Sequence, residues 1–346
     1  MTTATHSERY ARARHDCKLR LTVALIVTGA LFNGAVWSGQ AYAQEKPVRV
    51  GVLSFFTLTG EPEWASDFER LRRNLADQGW IAGKNIVFEY RSAKGEPSQF
   101  EAAATALVGL DVDVILANSA PALRAAHAAT RTIPIVATDY TTDPVAEGYV
   151  ENFAQPGGNV TGVFLGAPEF AGKWFELLQS MIPDLSRVAV LWDPAPGANH
   201  LEAVRFVADS LGIKLQVLEV RKASDIDLAF NALSGSPQAI VILPSPMNWW
   251  QSARLARLAL EYRLPATSMA PHFANAGGVI SYGPDLTWDD ERIAALLAKI
   301  LGGARPADLP VERPRKFQLV VNLKTAKALG ITIPHSILLR ADEVIR

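Results

Sequence analysis

Short, nearly continuous apolar runs alternate with helix-periodic stretches along most of the chain. A strand buried on both faces needs such a run, and parallel sheets covered by helices are where such strands occur. The first runs are Val48 to Leu53, Ile86 to Tyr90, Val114 to Ala117 and Ile133 to Ala137. Between the first two, Trp64, Phe68, Leu71 and Leu75 recur at helical spacing, and Gly79 marks a stop. The pattern predicts an α/β fold with parallel sheets.

The second half repeats the order of the first. Arg49-Val50-Gly51-Val52-Leu53 is echoed by Arg187-Val188-Ala189-Val190-Leu191, and Ile86 to Tyr90 by Leu215 to Glu219. Val114 to Leu116 matches Ile240 to Ile242, and Ile133-Pro134 matches Leu264-Pro265. Buried strands share a composition, but composition does not explain four matches in one order at offsets near 130 residues. Two Rossmann-like lobes in tandem are expected. After a strand from Gly278 to Ser281 comes one more amphipathic helix, with Thr287 as expected N-cap and Asp290 three residues on. Ile293, Leu296, Leu297, Ile300 and Leu301 form its apolar face, and Gly302-Gly303 stops it. A strand from Phe317 to Val321 and a short helix near Lys324 to Leu329 follow. These elements have no counterpart after the first half, so they are expected to return and complete both lobes, giving a hinge with several crossings.

The first 43 residues read as a processing segment. Arg9, Arg12, Arg14, Lys18 and Arg20 precede an apolar run from Leu21 to about Val36, with Ala-x-Ala at Ala41 and Ala43. That is the order of a secretory signal, with cleavage expected after Ala43 and a periplasmic product. The alternative, an uncleaved anchor, suits the run poorly: Gly29, Asn33 and Gly34 interrupt it, and it falls short of the ~20 apolar residues of a spanning helix. The sole cysteine, Cys17, lies upstream of the run and would leave with it. Removing the leader's five basic and two acidic residues from the chain's 34 and 35 leaves 29 against 33, a net charge near −4. There is no basic excess for nucleic acid or a membrane surface.

In open α/β sheets, ligands sit beyond the carboxyl ends of the strands. In the first lobe those positions hold Ser54-Phe55-Phe56, Asn118-Ser119-Ala120-Pro121 and Thr138-Asp139-Tyr140. Ser119 or Ala120 would cap a helix whose first turn holds Pro121, leaving backbone N–H groups able to receive a carboxylate. In the second lobe they hold Asp193 with Asn199, then Pro244-Ser245-Pro246, then Ser268-Met269. Asp193 suits a ligand ammonium or hydroxyl, or else its own Asp-Pro turn. Trp249 and Trp250 stand near the rim, as ligand stackers or as packing, and Tyr282 lies at the return crossing as ligand contact or hinge plug. The candidate ligand-binding set is therefore Ser54, Phe55, Asn118, Ser119, Thr138, Asp139, Asp193, Asn199, Ser245, Met269 and Tyr282.

Several segments carry a family resemblance. They are Pro156 to Val163, Ser281-Tyr282-Gly283, Pro306 to Val311, Asn322 to Lys327 and Arg340 to Ile345, with Asp143-Pro144-Val145 fitting as well. In these the chain resembles ABC transporter substrate-binding proteins of the type I periplasmic binding-protein fold, a subgroup that includes tryptophan-binding members. The resemblance implies crossings near Leu165, Tyr282 and Leu309. It also implies a first lobe of residues 44–164 plus 284–308 and a second of 165–283 plus 309–346. It implies closure over a small ligand, no cofactor, and docking of a monomer on a permease served by an ATPase. Three second-lobe loops depart from the family pattern: Trp192-Asp193-Pro194, Pro244-Ser245-Pro246, which lacks an acid, and Ser268-Met269-Ala270. The scaffold is implied more strongly than the ligand.

Catalytic signatures do not appear. The Gly-Lys pair at Gly83-Lys84 lacks P-loop spacing, no G-x-G-x-x-G follows the first strand, and no G-x-S-x-G elbow is present. His127, His200, His272 and His335 show no metal-ligand spacing. A periplasmic enzyme would rest only on Asp139, Asp143 and Asp193, and a ligand sensor would use the same cleft as a transporter component.

Overall fold

The computed structural model describes residues 46–58, 62–165 and 168–346, with the side chains of residues 62–64, 168 and 169 excepted. The expected export signal, its cleavage point after Ala43, and Cys17 lie outside the described residues.

The runs read as buried strands pair into a parallel five-stranded sheet of β1 (Val48–Ser54), β2 (Ile86–Ser92), β3 (Val114–Asn118), β4 (Ile135–Asp139) and β5 (Val160–Phe164). Its order is β2-β1-β3-β4-β5. Helices α1 (Pro62–Ala76), α2 (Phe100–Val108) and α3 (Ala120–Ala129) cover its faces. Apolar burial on both faces explains the missing polar alternation: Val50, Val52, Val114 and Val136 pack toward α1, while Leu53, Ile115, Ala117 and Ile135 pack toward α2 and α3.

The second sheet repeats this topology. Its strands β6 (Arg187–Trp192), β7 (Lys214–Glu219), β8 (Ala239–Ile242), β9 (Ala266–Ser268) and β10 (Ile280–Pro284) run in the order β7-β6-β8-β9-β10, the same winding as in the first. The internal repeat read along the chain is therefore a repeat of sheet topology. Two strands extend this sheet beyond the repeat, β11 (Phe317–Asn322) antiparallel to β10 and β12 (Glu343–Ile345) parallel to β11. Around it lie α4 (Pro168–Met181), α5 (Asn199–Ser210), α6 (Asp225–Asn231), α7 (Pro246–Trp250), α8 (Ser252–Glu261) and α9 (Pro271–Asn275).

The chain passes between the sheets more than once. β5 belongs to the first sheet and β6 to the second, after which α10 (Leu286–Leu301) leaves β10 and packs on the first. Ile293, Leu296, Leu297 and Ile300 of α10 bury against Phe68, Leu71 and Leu75 of α1 and against β3 to β5. The chain then runs beside β5, where Glu312 pairs with Val163, before entering β11 in the second sheet. α11 (Leu323–Leu329) and α12 (His335–Leu338) close the chain around β12.

One local expectation fails. The N-cap of α10 is Asp285, whose carboxylate accepts from the Thr287 backbone N–H at 3.0 Å, so Thr287 lies inside the first turn. A carboxylate at an extended residue receives the orphan N–H groups earlier than the threonine hydroxyl does, and Asp290 is thereby released from capping.

Gly162 on β5 has φ 152°, and a Cβ there would lie 2.0 Å from the Ala137 carbonyl oxygen of β4. Only glycine permits this spacing, which carries β5 toward the first crossing. Gly162→Ala is expected to destabilise the protein by about 3 kcal/mol or more, through overpacking against rigid backbone plus strain. Chemical denaturation monitored by tryptophan fluorescence checks this.

Candidate functional site

The carboxyl ends of β1, β3 and β4 face those of β6, β8 and β9, and the winding order reverses in each sheet beside its first strand. At such switch points loops diverge and leave a crevice. A cavity of about 120 Å³ lies here. At roughly 10–15 Å³ per water-sized group it holds around ten such groups, the scale of an amino acid.

The first-sheet floor is polar. Asn118 at the end of β3, Ser119 directly after it, and Thr138 and Asp139 at the end of β4 line it. The side chains of Asn118 and Thr138 make no hydrogen bond among the described residues, so their capacity faces the cavity. Ser119 caps α3, its hydroxyl accepting weakly from the Ala122 N–H at 3.4 Å, and Pro121 sits in the first turn. Its backbone is at φ 135°, ψ 162°, a region that essentially only glycine enters at no cost. The strain falls on the residue that aims the free N–H groups of α3.

Asp139 is almost completely buried, yet its carboxylate is well supplied. Oδ1 accepts from the Thr141 N–H at 2.8 Å, the Thr141 hydroxyl at 2.7 Å and the Thr142 N–H at 3.2 Å, and Oδ2 accepts from the Thr142 hydroxyl. Burial raises its pKa and these donors oppose the rise. The carboxylate thus shapes the loop that carries Tyr140.

Tyr140 joins both layers. Its hydroxyl donates to Asp289 Oδ2 of α10 at 2.7 Å, and its carbonyl accepts from His200 Nε2 of α5 at 2.8 Å. Because a carbonyl only accepts, His200 carries its proton on Nε2. Burial pushes the His200 pKa down to about 4, so the ring is neutral at neutral pH. Burial, with Asp289 close by, drives the Tyr140 phenol well above its usual range.

The second-sheet wall is apolar and stiff. Pro196, Pro244, Pro246, Trp249 and Met269 line it, with Ser245 the one hydroxyl. Ser245 caps α7 by accepting from the Asn248 N–H at 3.0 Å. Trp249 is braced by the His272 ring, 4.2 Å away between centroids. The neighbouring Trp250 packs on Phe55, 6.1 Å between centroids, and joins the two layers at the rim.

Six of the sequence candidates line the cavity: Asn118, Ser119, Thr138, Asp139, Ser245 and Met269. The other five sit elsewhere. Ser54 is fully buried, its hydroxyl accepting from the Phe56 N–H at 3.1 Å, and Phe55 is buried among Phe56, Phe100 and Trp250 while Phe56 reaches the cavity. Asp193 accepts from the Ala195 N–H at 2.9 Å, fixing its own turn. Its Oδ2 is buried with no partner at hydrogen-bond geometry, although the Ser245 hydroxyl is near enough to oppose the rise that burial causes in its pKa. Asn199 reaches across to the Thr141 carbonyl at 3.4 Å. Tyr282 belongs to an aromatic stack with Phe170 and Phe317 on the second sheet.

Among the lining residues outside the candidate set, Asp67 of α1 and Leu286 and Asp290 of α10 come from helices that a reading of strand ends does not reach. Arg70 bridges the two carboxylates, 2.7 Å from Asp67 Oδ1 and 2.6 Å from Asp290 Oδ2. Burial pushes the pKa of Asp290 up to about 7 against the pull of Arg70, with Asp67 and Asp285 adding to the rise. Asp289 is pushed up to about 7 by burial, against the Tyr140 hydrogen bond. The i, i+3 spacing of Asp67 and Arg70 was a legible ion pair; its partner on α10 was not.

Comparison with known proteins gives the same outline. The family described as "ABC transporter substrate binding protein" matches residues 62–345. A tyrosine-binding protein of Clostridioides difficile is 24% identical over 261 residues, covering 74% of each chain. A solved conserved domain protein of Vibrio cholerae superposes with TM-score 0.79 at 29% identity, over 86% of this chain and 100% of that one. A domain from Streptococcus pneumonia, solved in complex with L-Trp, gives TM-score 0.78 at 23% identity, over 87% and 100%. The fold is that of the type I periplasmic binding proteins.

Two predictions follow from the geometry of this site. Ser119→Gly releases backbone strain of about 1–3 kcal/mol, less the entropy cost of glycine. The ligand-free protein is therefore expected to gain about 1 kcal/mol in denaturant titration, and to bind its ligand more weakly because the α3 terminus loosens. Because Asp289 and Asp290 hold protons in the folded state up to about pH 7, folding takes up protons above the usual carboxylate range. Their stabilising contribution is complete below pH 4 or so and is lost as pH rises through about 7. The ligand-free wild type should lose melting temperature between pH 5 and pH 8, and the Asp289→Asn, Asp290→Asn double variant should lose less.

Proposed function

The chain belongs to the ABC transporter substrate-binding protein family, and from that premise we propose that it captures an amino acid with an aromatic or other apolar side chain. It passes that ligand to a membrane permease served by an ATPase and does not turn it over. The carrying observation is the division of the cavity, with unspent polar groups of Asn118 and Thr138 beside the α3 terminus and a wall of Trp249, Pro244 and Pro246 facing them. A carboxylate suits the N–H groups of α3, and a ring suits the tryptophan. The tyrosine-binding relative and the L-Trp complex support the ligand class.

In this reading residues 44–164 plus 284–308 move against 165–283 plus 309–346. The ligand touches both walls only when they are together, and that difference in affinity drives closure. Ser119, Asp139, Ser245 and Met269 complete the contact set, while Ser54, Phe55, Asp193, Asn199 and Tyr282 hold the walls in place. Export to the periplasm, cleavage after Ala43 and action as a monomer belong to the same proposal. No helix among the described residues is long and apolar enough to cross a membrane, which is consistent with a separate permease chain.

The test is a thermal-shift screen of residues 44–346 against the proteinogenic amino acids, followed by calorimetry. L-tyrosine or L-tryptophan is expected to bind with a micromolar Kd, about −8 kcal/mol. At a hundredfold excess over Kd the stabilisation is about 2.7 kcal/mol. Trp249→Ala should weaken binding by about tenfold or more. Absence of binding by every amino acid would overturn the proposal.

A further inference from the structure

An amino-acid ligand brings an ammonium group as well as a carboxylate, and the ammonium needs an anionic acceptor inside the cavity. The second-sheet wall supplies none: Pro196, Pro244, Ser245, Pro246, Trp249 and Met269 carry no charge. Asp193 lies behind Ser245, outside the lining, and spends Oδ1 on its own turn. Three lining carboxylates remain, on Asp67, Asp139 and Asp290, and no Lys, Arg or His side chain lines the cavity with them.

These three are not equivalent. Asp139 accepts four hydrogen bonds from Thr141 and Thr142 and is committed to its loop. Asp67 is held by Arg70 from its own helix at 2.7 Å and has a further partner. Asp290 gives Oδ2 to Arg70 Nε at 2.6 Å, and its Oδ1 has no partner among the described residues. Arg70 contributes one positive charge to two carboxylates, so once Asp290 is ionised, above about pH 7, this side of the cavity carries a net negative charge. It also fixes the Asp290 side chain from behind, which orders the acceptor before any ligand arrives.

We infer that Asp290 Oδ1 receives the ligand's ammonium group, with Arg70 as the positioning residue that holds the carboxylate in place. The inference rests on the proposed amino-acid reading. It assigns ammonium recognition to α10, the helix that follows the return crossing, and it excludes Asp193 from that role.

The test compares L-tyrosine and L-tryptophan with 3-(4-hydroxyphenyl)propanoate and indole-3-propanoate, which keep ring and carboxylate but lack the amine. Calorimetry on wild type, Asp290→Asn and Asp193→Asn reads the preference for the amine. Wild type should favour the amino acid by about 30-fold or more, the scale of a charge-assisted hydrogen bond in a desolvated site. Asp290→Asn should lose most of that preference while binding the des-amino acid unchanged, which also shows that the variant is folded. Asp193→Asn should keep the preference. A preference that survives Asp290→Asn, or that disappears in Asp193→Asn, overturns the assignment and leaves the amino-acid reading standing. No binding of any amino acid by wild type overturns both.

If Asp290→Asn does not fold, wild type alone decides. The titratable and charged groups facing Asp290 are Arg70 and Asp67 of α1, Asp285 at the N-cap of α10, Asp289 beside it on α10, and Tyr140 just beyond β4. Protonation of Asp290 removes the acceptor's charge, so amino-acid affinity should fall several-fold from pH 8 to pH 5.5 while des-amino affinity does not. Equal pH dependence of the two ligands overturns the assignment.

Discussion

Tyr140 is tied at two ends, and the arrangement of the two layers turns on that tie. Its hydroxyl is bound to Asp289 on the returning helix α10, and its carbonyl to His200 on a helix of the second sheet. Its ring packs with buried residues of both layers and lines the cavity. A residue in this position cannot move with one layer without straining its bonds to the other. The loop around it is held by the buried Asp139 side chain, whose hydrogen bonds from Thr141 and Thr142 oppose the rise in pKa that burial causes.

Unfavourable features gather at the cavity and just behind its walls. Ser119 is held at a backbone angle that favours glycine, Asp193 Oδ2 and Asp289 Oδ1 are buried without hydrogen-bond partners, and Asp289 and Asp290 keep protons well above the usual range. Each is destabilising on its own, and they cluster where the strand ends of the two sheets meet. The large apolar cores behind each sheet supply the stability that lets the site carry them. Aromatic contacts at the rim, Trp250 on Phe55 and Trp249 on His272, add rigidity where polar groups alone would leave the walls loose.

The site was legible where it depends on position along a strand. Asn118, Ser119, Thr138, Asp139, Ser245 and Met269 stand at or just beyond strand ends, and alternation with helices was enough to find those ends. It was illegible by one residue at Phe55, because which of two adjacent phenylalanines turns inward depends on the Ser54 turn and on Trp250, about two hundred residues away. Tyr282 was drawn toward the cleft by its place at a crossing, yet the antiparallel β11 brings Phe317 beside it and stacks it on the second sheet. Asp290 was hidden by its resemblance to a capping partner, a role that Asp285 left vacant by capping two residues earlier than Thr287 would have.

The sequence by itself determined the α/β class, the tandem repeat, the extra returning helix and the strand-end residues, because each follows from short-range periodicity and the sterics of buried strands. Tertiary structure alone decided which charges share the cavity. Asp67, Arg70 and Asp290 come together only when α10 crosses back onto α1, a contact between residues about 220 positions apart. No local pattern encodes that meeting; it arises from burying the apolar face of α10 against the first sheet, and the polar residues beside that face are carried with it.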